Sequence, residues 1–280
     1  MPMKIKFVFL TLAFVLAEVP AYPQAPYAWL DVSDSISFQV EDIPVLPEYS
    51  RTPVREGTFA AWLRQLPVKT ENNTVFLYDG RVKPNQNAHY RVLKIDVGSR
   101  NLQQCADAVM RLRAEYLFSI QRYDEIAFHF TSEDLAKYSD WIDGIRPRVK
   151  GNHVSWIETD RTGVSYESFR NYLQTVFIYA GSYSLSRELN PVARSSDIQI
   201  GDIFIQGGFP GHAVMVVDII EHNQTLEKAI LLVQSYMPAQ EIHILRNPNN
   251  EKKSPWYPVR EQGFLETPEW TFHWSNLKRF

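Results

Sequence analysis

The chain is poor in cysteine: Cys105 is the only one in 280 residues. No disulfide can close within it, and no paired-cysteine zinc site can form. It also lacks an H-E-x-x-H motif, so neither a metal nor any other cofactor is expected. Basic charge is not in excess. The 29 Lys and Arg stand against 32 Asp and Glu, for a formal net charge of −3, and no basic run occurs. Nucleic acid is therefore not an expected partner. Long apolar runs are scarce. The one at residues 7–17 is about half the roughly 20 residues that a membrane span needs. A phosphate loop is missing as well, because the glycine-rich QGGFPG has no Lys and leads into a strand pattern. A serine elbow is excluded because in AGSYSLS Leu185 stands where the final Gly would fall. The chain shows neither an internal repeat nor a low-complexity segment.

What is present begins with a targeting pattern. Lys4 and Lys6 precede the apolar run, and Val19-Pro20-Ala21 follows it. This is the grammar of a secretory signal over residues 1–21, so the chain is expected to be exported to the periplasm or outside the cell, with no membrane span after signal removal. Residues 22–57 are proline-bearing and weakly periodic, as in an extended arm. The remainder, residues 58–280, has the length and composition of one domain, with 45% hydrophobic and 22% charged residues in the chain. Seven Trp, 14 Tyr and 16 Phe supply core rings, with some left to line a groove for sugar or peptide.

The pattern predicts a short helix over residues 58–68, capped by Thr58 and stopped before Pro67. Residues 73–98 alternate and turn at Asp79-Gly80 and Pro84-Asn85, which reads as a β-hairpin. A helix follows, with Asn101 as cap and Gln104 completing a capping-box spacing. Leu102, Cys105, Val109, Leu112 and Tyr116 form its apolar stripe, while Arg111 and Glu115 lie off it and can pair. Residues 165–189 are helical with a break near Gly181. Strands are expected in DIQIGDIFIQGG, GHAVMVVDII, KAILLVQSYM and EIHIL, and the aromatic tail is expected to pack on their sheet. Helices early and an antiparallel meander late make an α+β fold.

Two signals carry chemistry. Cys105 falls in the first turn of its helix, where backbone N–H groups and the helix dipole lower a thiol pKa. The same stripe suits a buried bystander, since cysteine is among the most buried residue types. The second signal is GDIFIQGGFPGHAVMVVDI, in which His212 opens a strand and shares one face with Val214, Val216 and Asp218. Pro210 and Gly211 beside it are expected to leave the ring open to a groove. If the following turn centres near Asn223-Gln224, position 212 pairs with about 234 to 236, and Gln234 falls on the His212 face. Its amide can accept a hydrogen bond from the imidazole, as the third member of a triad does, or it can merely satisfy a backbone group. Ser235 faces the other way.

A helix-start cysteine, a Gly-Asp strand, a Gly-His strand opening and a polar residue on the next strand resemble the NlpC-type papain-like cysteine peptidases. That resemblance covers about a third of the chain. It implies a papain-like core in which a cysteine helix packs on an antiparallel sheet, with insertions. LQQCADAVMRLRAEYL, GGFPGHAVMVVD and VQSYMPAQ also resemble a family of secreted bacterial proteins catalogued as a domain of unknown function (4846), over nearly everything after the signal. The first resemblance implies Cys105 as nucleophile, His212 as general base holding a thiolate, and Gln234 as the polar third member. Backbone N–H groups near Cys105, with the Gln103 or Gln104 side chain, would hold the oxyanion. The expected function is a secreted thiol hydrolase that cleaves an amide bond in a peptide or glycopeptide, such as a cell-wall peptide. Gln104 and Ala106 depart from the Asp and Ser-Gly that usually flank that family's cysteine. A catalytically inactive envelope protein, binding a glycan or peptide in the same groove, is the alternative. A purely structural envelope protein is a third.

Overall fold

The computed structural model describes residues 27–30, 34–250 and 254–280. The expected signal at residues 1–21 lies outside them, as does part of the expected arm. The described residues form an α+β fold around one nine-stranded antiparallel sheet. Its strands are β1 (Tyr49–Arg51), β2 (His89–Val92), β3 (Asn190–Pro191), β4 (Ile203–Gln206), β5 (His212–His222), β6 (Lys228–Gln234), β7 (His243–Leu245), β8 (Trp256–Pro258) and β9 (Leu277–Arg279). The order across the sheet is β2-β7-β6-β5-β4-β9-β3, with β1 also pairing β5 and β8 also pairing β6. The helices are α1 (Phe59–Arg64), α2 (Cys105–Ser119), α3 (Tyr138–Ile142), α4 (Tyr166–Tyr179) and α5 (Ser182–Glu188). No helix among the described residues is long and apolar enough to cross a membrane.

Apolar residues on both sheet faces give two cores. Ala213, Met215, Val217, Leu231 and Val233 meet α1, α2 and α4 on one face. Val214, Val216, Leu232 and Phe204 meet Phe272, Trp274 and Leu277 of the tail on the other. Strands buried on both faces read as continuous apolar runs rather than alternations. The chain turns from β5 into β6 as the pattern predicts, because Glu221 pairs with Lys228.

Three local expectations change. In the segment at residues 73–98 the expected hairpin is confined to residues 75–83, where Phe76 bridges Val82 and Lys83 donates to the Val75 carbonyl at 3.0 Å. Leu77 donates to the Arg81 carbonyl at 2.8 Å around the Asp79-Gly80 turn. His89–Val92 instead pairs with β7 at the sheet edge, where its exposed ladder groups find a partner. The α2 cap is Gln104, not Asn101. Asp107 Oδ2 accepts the Gln104 N–H at 3.0 Å, and Asn101 Oδ1 is engaged by the Ala239 N–H at 2.7 Å. Asp218 does not share the His212 face. Leu231 pairs with Asp218 and Leu232 with Val216, so β5 carries one extra residue there. That bulge reverses the side-chain alternation, and Asp218 turns to Arg51 and Arg64, each at 2.7 Å.

Candidate functional site

The site assembles at the start of α2 and the start of β5. Cys105 is the first residue of α2. The preceding loop is fastened from both sides. Ser235 Oγ lies 2.9 Å from the Gln103 carbonyl and 2.8 Å from that of Gln240. Arg111, fully buried, reaches back from α2 to the Asp96 carboxylate at 2.6 Å and to Gln103 Oε1 at 2.5 Å. His212 is placed by Gly211. A Cβ there would lie 2.2 Å from Ser182 Oγ and 2.6 Å from the Gly208 carbonyl, so only glycine lets this loop pass so close to α5.

Cys105 and His212 line one cavity of about 400 Å³. Gln104, Asp107, Ser182, Phe209, Tyr236, Met237 and Trp270 line it too. Phe209 and Met237 stand at its mouth, 89% and 68% exposed. The two faces of the sheet meet here. Cys105 belongs to the helix side, and the Ala213 N–H is one of the groups that hydrogen-bond toward its sulfur. The His212 ring turns to the tail side. It is not open to a groove, being only 1% exposed among Tyr236, Trp270 and Phe272, whose centroids lie 4.8, 5.3 and 5.7 Å away. Its Nε2 lies 2.8 Å from Gln234 Oε1. Its Nδ1 has no protein partner among the described residues and is not among the sealed polar atoms. No hydrogen bond among the described residues joins the Cys105 sulfur to the ring. Catalytic contacts are commonly longer before substrate binds.

Gln234 falls where the alternation predicts. Val233 pairs with Met215, so continuing the register puts Tyr236 opposite His212 and Gln234 diagonal to it. The two glutamine candidates separate. Gln104 lines the cavity, whereas the Gln103 side chain is buried and bound to Arg111, away from the cavity wall. Sequence reasoning missed Asp107, Trp270, Glu269, Lys83 and His243. The Gln234 Nε2 donates to Glu269 Oε2 at 2.8 Å and lies 3.3 Å from His243 Nε2. Asp107 alone had a local signal, an acid three residues after the last non-helical residue.

Burial governs the electrostatics. It pushes the Cys105 thiol up to about 11, aided by Asp107, against the lowering effect of the Ala213, Ala106 and Cys105 N–H groups. This reverses the expectation from helix position, because desolvation of the thiolate outweighs the N–H groups of the first turn. Burial also pulls His212 down to about 4, against the opposing effect of the hydrogen bond that Gln234 accepts from the ring. At neutral pH the pair rests as thiol and neutral imidazole. Asp107 is raised to about 8 by burial, so it too is largely uncharged at pH 7. Among the described residues no group of three or more His, Cys, Asp or Glu is arranged to hold a metal ion.

No curated protein and no solved structure matches the chain. By a family model that matches residues 40–279, the chain belongs to the family described as a domain of unknown function (4846).

Proposed function

We propose that the chain is an exported thiol hydrolase with a papain-like core, acting on an amide bond of a peptide or glycopeptide, with cell-wall peptides as the class to try first. The observation that carries this is the shared cavity: a cysteine at a helix start and a strand-opening histidine line it, and an amide holds the histidine from behind. In this reading Cys105 Sγ attacks the carbonyl carbon while its proton passes to His212 Nδ1. The Cys105 N–H and the Gln104 side chain receive the oxyanion. The imidazolium then gives its proton to the departing amine as the C–N bond breaks, leaving a thioester. Water attacks the thioester, His212 takes the water's proton, and the sulfur leaves reprotonated. Proton transfer accompanies attack here, because thiol and imidazole rest uncharged.

The cavity walls bear on the substrate. Lys and Arg are absent from the residues lining it, and Phe209, Met237 and Trp270 give it apolar surface. Such walls suit a neutral or cationic segment with an apolar group, and disfavour one whose carboxylates sit next to the scissile bond.

The test uses activated thioesters and p-nitroanilides of short neutral peptides, read by release of the leaving group and by mass spectrometry of trapped acyl-enzyme. We expect an acyl adduct on Cys105. Cys105→Ala should abolish turnover, and His212→Gln should lower it by about 10²–10⁴-fold. Turnover indifferent to both changes, in folded variants, rules the hydrolase out. Peptide or glycan binding without any turnover would assign the chain to the alternative, an envelope binding protein that uses the same groove.

A further inference from the structure

Behind His212, away from the cavity, lies a chain of buried polar groups that the hydrolase reading does not require. Gln234 has two different ends: Oε1 only accepts hydrogen bonds and Nε2 only donates them. Both hydrogens on Nε2 have an acceptor. One points to Glu269 Oε2 at 2.8 Å. The other points to His243 Nε2 at 3.3 Å. His243 is committed to accepting there, because its Nδ1 lies 2.9 Å from the Glu241 carbonyl and must carry the ring proton. Glu269 Oε2 is in turn 2.5 Å from Lys83 Nζ, in an ion pair whose lysine is only 3% exposed. Asn85 Nδ2 approaches Glu269 Oε1 at 3.3 Å.

This arrangement removes a freedom that an amide normally has. Turned over, Gln234 would set its oxygen against a carboxylate oxygen and against a lone pair of His243, with no donor between them. The carboxylate therefore selects one orientation, and that orientation presents Oε1 to His212 Nε2 at 2.8 Å. A neutral imidazole can meet an oxygen only with an N–H, so the proton sits on Nε2 and the lone pair of Nδ1 is left toward the cavity.

We propose that Glu269 is a positioning residue which, acting through Gln234 and held by Lys83, fixes His212 as the Nε2–H tautomer. The three supports come from distant parts of the chain: Lys83 precedes β2, Gln234 ends β6, and Glu269 lies in the turn between the tail strands Phe264–Glu266 and Thr271–His273. Burying a lysine–glutamate pair costs free energy that an apolar pair would not, so a role in orientation accounts for its place. Burial pulls His212 below its ordinary pKa, and the charge of Lys83 adds to that, so the ring is neutral and its tautomer defined at pH 7. The geometry stands without the hydrolase reading; only its use, a base lone pair facing Cys105, rests on that reading.

Ring nitrogen shifts in long-range ¹H–¹⁵N spectra of histidine-labelled protein at pH 7 test this. His212 is assigned by the signals lost in His212→Gln. Wild type should show the Nε2–H form in about tenfold excess or more, the scale of one charge-assisted hydrogen bond. Glu269→Gln, whose amide can turn either way, should lower that excess several-fold, and Glu269→Asp should restore it. If Glu269→Gln does not fold, the Lys83→Met/Glu269→Leu double variant leaves no unpaired buried charge and should lose the excess likewise. A wild-type His212 carrying its proton on Nδ1 overturns the proposal, as does an excess unchanged in the Glu269 variants. The readout needs no substrate. An inert Cys105 with the expected tautomer shift would sink the hydrolase and leave this inference standing.

Discussion

Cys105 and Asp107 sit two residues apart in the first turn of α2, and burial moves both the same way. Asp107 shows the consequence for stability. Its folded value, about 8, lies well above the unfolded carboxylate value, so the native state keeps a proton that the unfolded chain has released. Stability contributed by the neutral acid is therefore lost as pH rises from about 4 to about 8, at up to about 1.4 kcal/mol per pH unit. Asp107→Asn removes this dependence while an amide oxygen can still accept the Gln104 N–H. Urea unfolding should show the variant gaining on wild type between pH 6.5 and pH 8; parallel profiles would refute the assignment. His212 acts in the opposite sense but lower down. Its folded value is depressed from 6.5 to about 4, so it lowers stability only as pH falls through that range. At this scale helix position and strand alternation in the sequence placed Cys105 at a helix start and His212 and Gln234 on one sheet face, as found. The direction of the Cys105 shift was not legible, since desolvation depends on what the fold packs over the sulfur.

At the scale of elements, α2 departs most from its amphipathic pattern. Arg111 and Glu115 pair at 3.3 Å as their four-residue spacing predicts, yet both are buried rather than solvated. The reason is company on every side: the sheet, α1, and α4, whose Tyr166 hydroxyl donates to Glu115 Oε1 at 2.8 Å and whose Arg170 reaches Asp96 at 3.0 Å. A charged residue enters such a core only with partners, and Arg111 has them in Asp96, Gln103 and Glu115. Arg111→Met should cost about 3–5 kcal/mol in urea unfolding, because it takes the nearer cation from buried Glu115, leaving it the Tyr166 hydroxyl and Arg170 at 3.8 Å, and leaves Gln103 Oε1 without its partner. A loss under about 1 kcal/mol would mean the network is not what fixes the loop before Cys105. The bulge in β5 teaches the same limit. Alternation read from one strand cannot reveal an extra residue that only the facing strand defines.

At the scale of the molecule, residues 34–57 are part of the fold rather than an appendage. Val40 and Ile43 are fully buried in the helix-side core, β1 pairs with β5, and Arg51 completes the Asp218 ion pairs. Each buried aliphatic contributes about 1.5–3 kcal/mol. A chain starting at residue 58 should therefore lose its cooperative thermal transition by circular dichroism. A cooperative melt close to that of the full chain would show the arm to be dispensable. The sequence by itself determined the α+β class, the helix starting near Cys105 and the β5–β6 hairpin that sets Gln234 behind His212. These follow from periodicity and short-range turns, which act over a few residues. Tertiary structure decided the rest: the Lys83–Glu269 support, the burial that leaves the thiol and imidazole uncharged, and the closure of the cavity by Tyr236 and Trp270. Those contacts join residues far apart in the chain, and their strength comes from exclusion of water, which no local pattern encodes.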